Sequence, residues 1–303
     1  SVKARIVKRT DNYKAPQRIH TMEVVKVCGL RKLEDIEYCA ENGNGKITHL
    51  GIICVPGRKR SIEREVGLKI SQVLDKCTTK DKRPKLVGVF RNQPLNDIIA
   101  LTKEYRLDAV QFHDDNPEWL EWSLELLNIQ KNNPLFEKAF SSSPSSPSPS
   151  SSSSPSSPSS SSRTNTYPPF SIIKRWCFPR DRMLIVQYAK KISEMNLQNH
   201  FIFLFDSETG GEGKVSNDWK AVSDFLQEIR KNKNISTGLK FVMAGGISPE
   251  NVQILKKTCP EINGMDVSSG VENEKTGWKD YEKVERYVAE ASMKDGEYRE
   301  TEL

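Results

Sequence analysis

The chain has no apolar run near the ~18 consecutive residues that a membrane helix needs, so no membrane-spanning helix is expected. It has no charged-then-apolar start, so no secretory signal peptide is expected. It has six cysteines, at 28, 39, 54, 77, 177 and 259, and no CxxC among them. That spacing argues against a zinc site or a disulfide framework, and for a reducing compartment. It also has little basic excess beyond its first twenty residues. Lys3, Arg5, Lys8, Arg9, Lys14 and Arg18 face only Asp11 there, which leaves the other 283 residues at +1. A nucleic-acid footprint needs a basic face on the folded part, and composition offers none.

The 303 residues contain three kinds of segment. Residues 1–21 read as a basic, flexible tail. Residues 141–162 are 17 Ser and 5 Pro and nothing else. Such a tract has no apolar side chain to bury and cannot offset its ordering entropy, so a disordered insertion is expected over 129–168. The remainder, 22–128 and 169–295, is globular in pattern, with a short tail at 296–303. It carries eight apolar, β-branched runs at Glu23–Cys28, Thr48–Val55, Lys85–Phe90, Asp108–His113, Ser171–Phe178, Phe201–Asp206, Leu239–Ala244 and Gly264–Val267. Between them lie helix-period segments. Ile62, Val66, Ile70, Val73 and Cys77 line one face of the second. Trp119, Trp122, Leu124 and Leu127 belong to the fourth. Trp219, Val222, Phe225, Leu226 and Ile229 line the sixth, and Tyr281, Val284, Val288 and Ala291 the last. Ser248-Pro249 reads as an N-cap followed by proline at the first helical position. Eight βα repeats in this length predict an α/β fold, a single-domain (βα)8 barrel. The alternative is a doubly wound open sheet. That fold usually carries GxGxxG after its first strand, where this chain has Gly29-Leu30-Arg31-Lys32.

In such barrels the chemistry lies at the C-terminal ends of the strands. Cys28 closes the first run, and strand alternation places Lys26 on its face. A nearby ammonium could draw a thiol down from about 8.5 toward neutrality. Cys39, Cys54 and Cys77 read as small buried hydrophobes. Arg58, Lys59 and Arg60 follow the second run, and could equally be a solvated cluster. His113 ends the fourth, and could equally be a core histidine. Asp206 ends the sixth, and Asp266 lies in the eighth. Gly245-Gly246 and Ser269-Gly270 follow strands seven and eight, where barrels commonly bind phosphate through backbone N–H groups.

These strand ends occur in order as VVKVCGL at 24–30, ICVPGRKRSI at 53–62, VGVFRNQP at 87–94, VQFH at 110–113, LFDSETGGEGK at 204–214, MAGGISPENV at 243–252 and GMDVSSGVE at 264–272. The series resembles the phosphoribosylanthranilate isomerase family of tryptophan biosynthesis, most of all its fungal forms, from residue 22 to about 290. The resemblance implies Cys28 as general base, Asp206 as general acid, and Arg60, or less readily Arg58, facing the anthranilate carboxylate. It implies phosphate binding at Gly245, Gly246, Ser269 and Gly270, with the Gly210, Gly211 and Gly213 loop closing nearby and Lys26, His113 and Asp266 in support. Asp114 departs from the family's usual glycine, and the Ser/Pro tract is foreign to typical members.

The implied reaction converts N-(5-phosphoribosyl)anthranilate to 1-(2-carboxyphenylamino)-1-deoxyribulose 5-phosphate by an Amadori rearrangement. It needs an acid to open the furanose and a base to remove the C2 proton, and no metal or organic cofactor. An aspartic acid at neutral pH needs a raised pKa, from burial or from the neighbouring phosphate. The expected enzyme is cytoplasmic and monomeric, with a small phosphosugar as substrate and no nucleic-acid or membrane partner. The alternatives are another phosphosugar barrel, such as indole-glycerol-phosphate synthase, or a non-catalytic interaction protein using the basic and Ser/Pro segments. A strand one ending in Cys28, and the Cys28/Asp206 pair itself, speak against both.

Overall fold

Each of the eight apolar runs forms a strand, and the eight pair in parallel around a closed barrel in chain order. In this computed structural model the strands are β1 Val24–Cys28, β2 His49–Ile53, β3 Lys85–Phe90, β4 Ala109–Phe112, β5 Ser171–Trp176, β6 Phe201–Phe205, β7 Lys240–Met243 and β8 Gly264–Val267. The described residues are 6–8, 22–43, 45–79, 82–131, 170–206, 218–293 and 297–299. The helices that follow in sequence are α1 Leu33–Asn42, α2 Arg64–Cys77, α3 Leu95–Glu104, α4 Trp119–Lys131, α5 Arg182–Glu194, α6 Trp219–Lys231, α7 Val252–Thr258 and α8 Tyr281–Ser292. The result is a (βα)8 barrel. β8 closes on β1, with Lys26 opposite Asp266 and Val27 opposite Val267.

The interior follows from strand alternation. Val24, Val87, Ala109, Ile173, Ile202, Leu204, Val242 and Ala244 form one buried cluster inside the barrel. Counting two residues onward from these positions brings Lys26 and Cys28, Gln111 and His113, Arg175, and Asp206 onto the same inward side. The apolar layer is therefore the floor beneath a polar layer at the C-terminal mouth.

The helix faces agree with the sequence in part. In α6, Val222, Phe225, Leu226 and Ile229 are buried as the periodicity predicts, and Trp219 is half-buried. The Asp218 carboxylate accepts from Ala221 N at 3.0 Å and caps that helix, a contribution of roughly 1 kcal/mol. In α8, Val284, Val288 and Ala291 are buried, but Tyr287 takes the place expected for Tyr281, which is exposed. In α2 the buried face is Gly67, Ile70, Ser71 and Leu74, rotated from the one expected. Small residues pack there, with Tyr105 lying directly over Gly67. The expected cap at Ser248 is also displaced. α7 starts at Val252 behind Asn251, and 248–251 form a turn in which Asn251 Oδ1 accepts from Ser248 N at 2.9 Å.

The chain divides into two compact units, one of residues 1–116 with 171–303 and one of Pro117–Phe170. The second contains α4, whose buried residues Trp119, Leu120, Ser123 and Leu126 share a face. Of the four residues expected on that helix, Trp119 alone is fully buried. α4 runs to Lys131, so 129–131 of the expected insertion are helical, and its remainder, with the Ser/Pro tract, lies outside the described residues. In the expected tails, Ile6–Lys8 and Glu297–Arg299 pair as a separate antiparallel ribbon. Among the described residues, no helix is long and apolar enough to cross a membrane.

Candidate active site

Cys28 ends β1 at the barrel mouth and is 8% exposed. Beneath it, Lys26 is fully buried and its Nζ donates to Asp266 Oδ2 at 2.7 Å. The space for this group comes from Gly51 on β2. A Cβ there would lie 2.6 Å from Cys28 Sγ and 3.1 Å from Lys26 Nζ, so thiol and ammonium converge on a position that admits only glycine. Burial works against the Lys26 charge, but Asp266 and Cys28 beside it hold the ammonium above its ordinary value. The thiol behaves differently from the sequence expectation. Burial pushes Cys28 up, the Lys26 charge pulls it down, the Asp266 charge pushes it up again, and the net shift is upward. Lys26 lies where alternation put it, but its charge is outweighed by burial. Cys39 and Cys54 are buried as expected and pushed up to about 12 by that burial, whereas Cys77 is half-buried.

Arg60 reaches back toward β1 and β8. Its Nε and Nη2 donate to the two oxygens of Glu272 at 2.6 and 2.9 Å, and its Cδ packs over Gly29. Lys279 Nζ sits 3.2 Å from Glu272 Oε1 and donates to Ser268 O at 2.9 Å. Burial raises the Glu272 carboxyl, but Arg60 and Lys279 outweigh it and keep the group ionised below its usual range. Arg58 is exposed on the same loop, and its backbone N–H donates to Ser61 Oγ. Glu272 and Lys279 escaped the sequence reading. Glu272 meets Arg60 from 212 residues away and Lys279 meets Glu272 from seven, and only GMDVSSGVE, which ends in Glu272, hinted at one of them.

Asp206 ends β6 and is 7% exposed. His113 Nε2 lies 3.9 Å from its Oδ2, beyond hydrogen-bond reach. Gln111 Nε2 lies 3.3 Å from His113 Nδ1, so an amide donation there leaves the imidazole proton on Nε2, facing Asp206. Burial, then the Arg175 charge, pushes His113 down to about 3, so the ring is neutral at physiological pH. Arg175 was missed in the sequence. It follows Ile173 by two residues on β5, points into the barrel, and is 4% exposed. Asp114, the departure from glycine, has a local structural role. Its carboxylate accepts from Asn92 N at 2.7 Å and Asn116 N at 3.2 Å, tying the loops after β3 and β4.

After β7, Gly245 and Gly246 have φ of 80° and 68°, which favours glycine at both positions. Asn251 Nδ2 donates to Gly246 O at 2.8 Å and holds the turn. After β8, Ser269–Val271 form a single 3-10 turn. Among the described residues, the backbone N–H groups of Gly245, Gly246, Ser269 and Gly270 donate to no protein acceptor. Gly210, Gly211 and Gly213 lie outside the described residues. No group of three or more His, Cys, Asp or Glu that could hold a metal occurs among the described residues.

The family model for N-(5'-phosphoribosyl)anthranilate (PRA) isomerase matches residues 25–142 and 161–290, passing over a stretch that is entirely Ser and Pro. The chain is 34% identical over 269 residues to N-(5'-phosphoribosyl)anthranilate isomerase of Saccharomyces kudriavzevii, covering 88% of this chain and 93% of that one. It is also 34% identical to the Saccharomyces cerevisiae protein of the same name, covering 88% and 94%. Its fold is similar to a solved phosphoribosyl anthranilate isomerase in complex with reduced 1-(o-carboxyphenylamino)-1-deoxyribulose 5-phosphate. That match has a TM-score of 0.58 at 22% identity and covers 88% of this chain and 97% of the other.

Proposed function

Because the chain belongs to the N-(5'-phosphoribosyl)anthranilate isomerase family, we propose that its barrel mouth performs the isomerisation with Cys28 as base and Asp206 as acid. The reaction is the aldose-to-ketose rearrangement of N-(5-phosphoribosyl)anthranilate to 1-(2-carboxyphenylamino)-1-deoxyribulose 5-phosphate, a step of tryptophan biosynthesis. The observation that carries the assignment of roles is the pair itself: a thiol and a carboxyl, both buried, both inward-facing, at the ends of β1 and β6.

The steps follow from these two groups. Asp206 gives its proton to the furanose oxygen. The bond from that oxygen to C1 breaks, and the nitrogen lone pair forms the C=N of a protonated Schiff base. Cys28, as thiolate, takes the proton from C2. The C–H electrons become the C1=C2 bond of an enolamine, and the C=N pair returns to nitrogen. The enol then becomes the ketone by moving its hydroxyl proton to C1. Each positioned proton transfer contributes roughly 10²–10⁴-fold. Lys26 and Asp266 stand behind the base and set its charge balance, and Gly51 leaves them room.

The turns at Gly245-Gly246 and Ser269-Gly270 offer backbone donors to the phosphate. Arg60, held by Glu272 beside Gly29, faces the anthranilate carboxylate from the β2 side. Six free cysteines suit a reducing cytoplasm, and the enzyme acts there on a small phosphosugar. The test is turnover. Purified protein mixed with N-(5-phosphoribosyl)anthranilate should abolish the substrate's fluorescence, and the gene should rescue a tryptophan auxotroph lacking this isomerase. A folded protein that does neither overturns the reading.

A further inference from the structure

The loops after β1, β2 and β8 meet on one side of the mouth, and one side chain of the first reaches both of the others. Arg31 donates through Nη1 to Lys59 O at 3.0 Å and through Nη2 to Gly277 O at 2.7 Å. Its guanidinium carbon lies 4.0 Å from the ring centre of Trp278. Resting on the isomerase reading, we propose that Arg31 is a positioning residue of the reaction: it straps the loop after β2 to the segment after β8 and so holds Arg60 in place over Gly29.

Three observations lead there. First, the strap starts from a fixed base. Leu30 beside it is fully buried, and its N–H donates to Gly51 O on β2 at 3.1 Å. Second, its two acceptors are main-chain oxygens of separate turns. One turn closes through Ser61 N to Arg58 O at 3.0 Å and Arg58 N to Ser61 Oγ at 2.8 Å. In the other, Glu272 and Lys279 bridge antiparallel, and between them Gly277 N donates to Asn273 O at 2.7 Å. These bonds shape each turn without joining it to the other. The Arg60–Glu272 pair joins them, at 2.6 and 2.9 Å, and Arg31 joins them again one residue away, at Lys59. Third, the Arg31 donors are spent on these oxygens: among the described residues, no carboxylate pairs with its guanidinium. A guanidinium presents its donors in one rigid plane, so two oxygens held by Nη1 and Nη2 are fixed relative to each other. The half-buried Trp278 ring backs that group, with the Lys32 ammonium also 3.5 Å from its centre. Arg31 makes no contact with Cys28 or Asp206, so its effect reaches the reaction through the loop that carries Arg60.

The strap is tested in the full chain by kinetics and by amide exchange. Arg31→Met should raise KM for N-(5-phosphoribosyl)anthranilate roughly tenfold, the size expected when a charged donor is lost, with kcat within about threefold of wild type. An unchanged KM overturns the proposal. Arg31→Lys keeps the charge but not the planar fork, so its KM should stay at least about threefold above wild type. A wild-type KM in Arg31→Lys would mean that plain charge attraction is at work, and overturns the proposal too. A double-mutant cycle reads the route. Independent roles predict that Arg31→Met multiplies the KM of Arg60→Ala by the same factor of about ten, whereas action through Arg60 predicts less than about twofold. Full multiplication sinks the proposal. Hydrogen exchange without substrate gives a readout apart from activity. Amides of 57–61 and 273–278 should exchange faster in Arg31→Met, and unchanged exchange in both turns removes the strap. If Arg31→Met does not fold, Trp278→Leu carries the test. It removes only the ring behind the guanidinium and should raise KM less, again with no further effect beside Arg60→Ala, and an unchanged KM there counts against the proposal. Wild-type protein that is folded but turns over no substrate is a different result: it sinks the isomerase reading on which this role rests, whereas the other failures leave wild-type turnover intact.

Discussion

The two sides of the barrel mouth are built on opposite plans. On the β8–β1–β2 side each charge already has its counter-charge at close range: Lys26 with Asp266 at 2.7 Å, and Arg60 and Lys279 with Glu272 at 2.6 and 3.2 Å. On the β3–β5 side, around a neutral His113, Arg175 and Arg180 share one exposed carboxylate, Asp115, at 3.1 and 3.0 Å, and Arg180 also pairs with Asp181 at 2.7 Å. The first arrangement is preorganised. Its dipoles and charges are fixed before substrate arrives, as proton transfer requires, and nothing there has to reorganise when the thiol changes charge. The second arrangement is a shared one, in which a single surface carboxylate serves two guanidinium groups. In one mouth, then, charges paired one to one in the interior stand behind Cys28, and charges shared at the surface line a polar cavity.

The comparison breaks most sharply at the proton-transfer pair. Cys28→Ser and Asp206→Asn should each lower kcat by roughly 10²–10⁴-fold, because positioned acid–base transfer contributes about that much. The melting temperature should change little, since both substitutions are close to isosteric. Steady-state kinetics beside a thermal melt decide it, and near-wild-type turnover in Cys28→Ser removes the base assignment.

A second break falls on the charges beneath the thiol. Lys26→Met strands Asp266 in the barrel, and breaking a buried pair typically costs about 3–5 kcal/mol. Urea denaturation should show that loss. The pH dependence gives the sign. A base works deprotonated, so kcat/KM rises with pH toward the Cys28 pKa, which burial holds above the ordinary thiol value. Lys26→Met removes the pull downward and moves that limb to higher pH. Asp266→Asn removes a push upward and moves it to lower pH. A limb that moves the same way in both variants would show that Cys28 does not feel these charges separately.

Much of this was legible in the sequence, for particular reasons. β3 and β8 match their apolar runs residue for residue, because a strand buried on both faces is apolar throughout and stops where the mouth begins. Cys28, Lys26, Asp206 and Asp266 were visible as polar residues at the ends of such runs. Arg175 was not, although the signal existed. Ile173 is core, so Arg175 two positions on must face inward, but Lys174-Arg175 reads as a solvated charge pair until the register is known. Glu272 was illegible for another reason: its pairing with Arg60 joins residues 212 apart and has no local period, and Lys279 enters the site only through Glu272. The rotated face of α2 shows the limit of periodicity, since Gly67 and Ser71 are buried for close packing and an apolar count passes over them.

The third prediction tests whether the paired side also touches substrate. Arg60→Ala should raise KM roughly tenfold or more by removing the proposed contact with the carboxylate, a charge-assisted interaction of about 1.5–3 kcal/mol. Arg58→Ala should do less, since that side chain is exposed on the outer part of the loop. If Arg58→Ala proves the more damaging, the loop presents a different arginine to substrate than its resting geometry indicates.

The smallest effect is expected from the Ser/Pro tract. The chain enters β5 at Ser171, which pairs with Ala109 at the start of β4, so the segment preceding Ser171 feeds the N-terminal end of the barrel. The chemistry lies at the C-terminal ends, with the length of the strands and the apolar floor of Val24, Ile173 and Leu204 between. Residues 141–162 contain no Cys, Asp, His or Arg, so they hold none of the groups that the proposed proton transfers and carboxylate contact require. Changing its length alters closure entropy by only about 0.6 kcal/mol per doubling. Replacing residues 141–162 with a short Gly/Ser linker should therefore leave kcat and KM within about twofold of wild type. The measurement is the same fluorescence assay on both proteins, with a melt to show that each is folded. A tenfold loss of activity in a folded variant would mean that the Ser/Pro tract reaches the catalytic mouth, and that this mouth has a third contributor besides its paired and its open side.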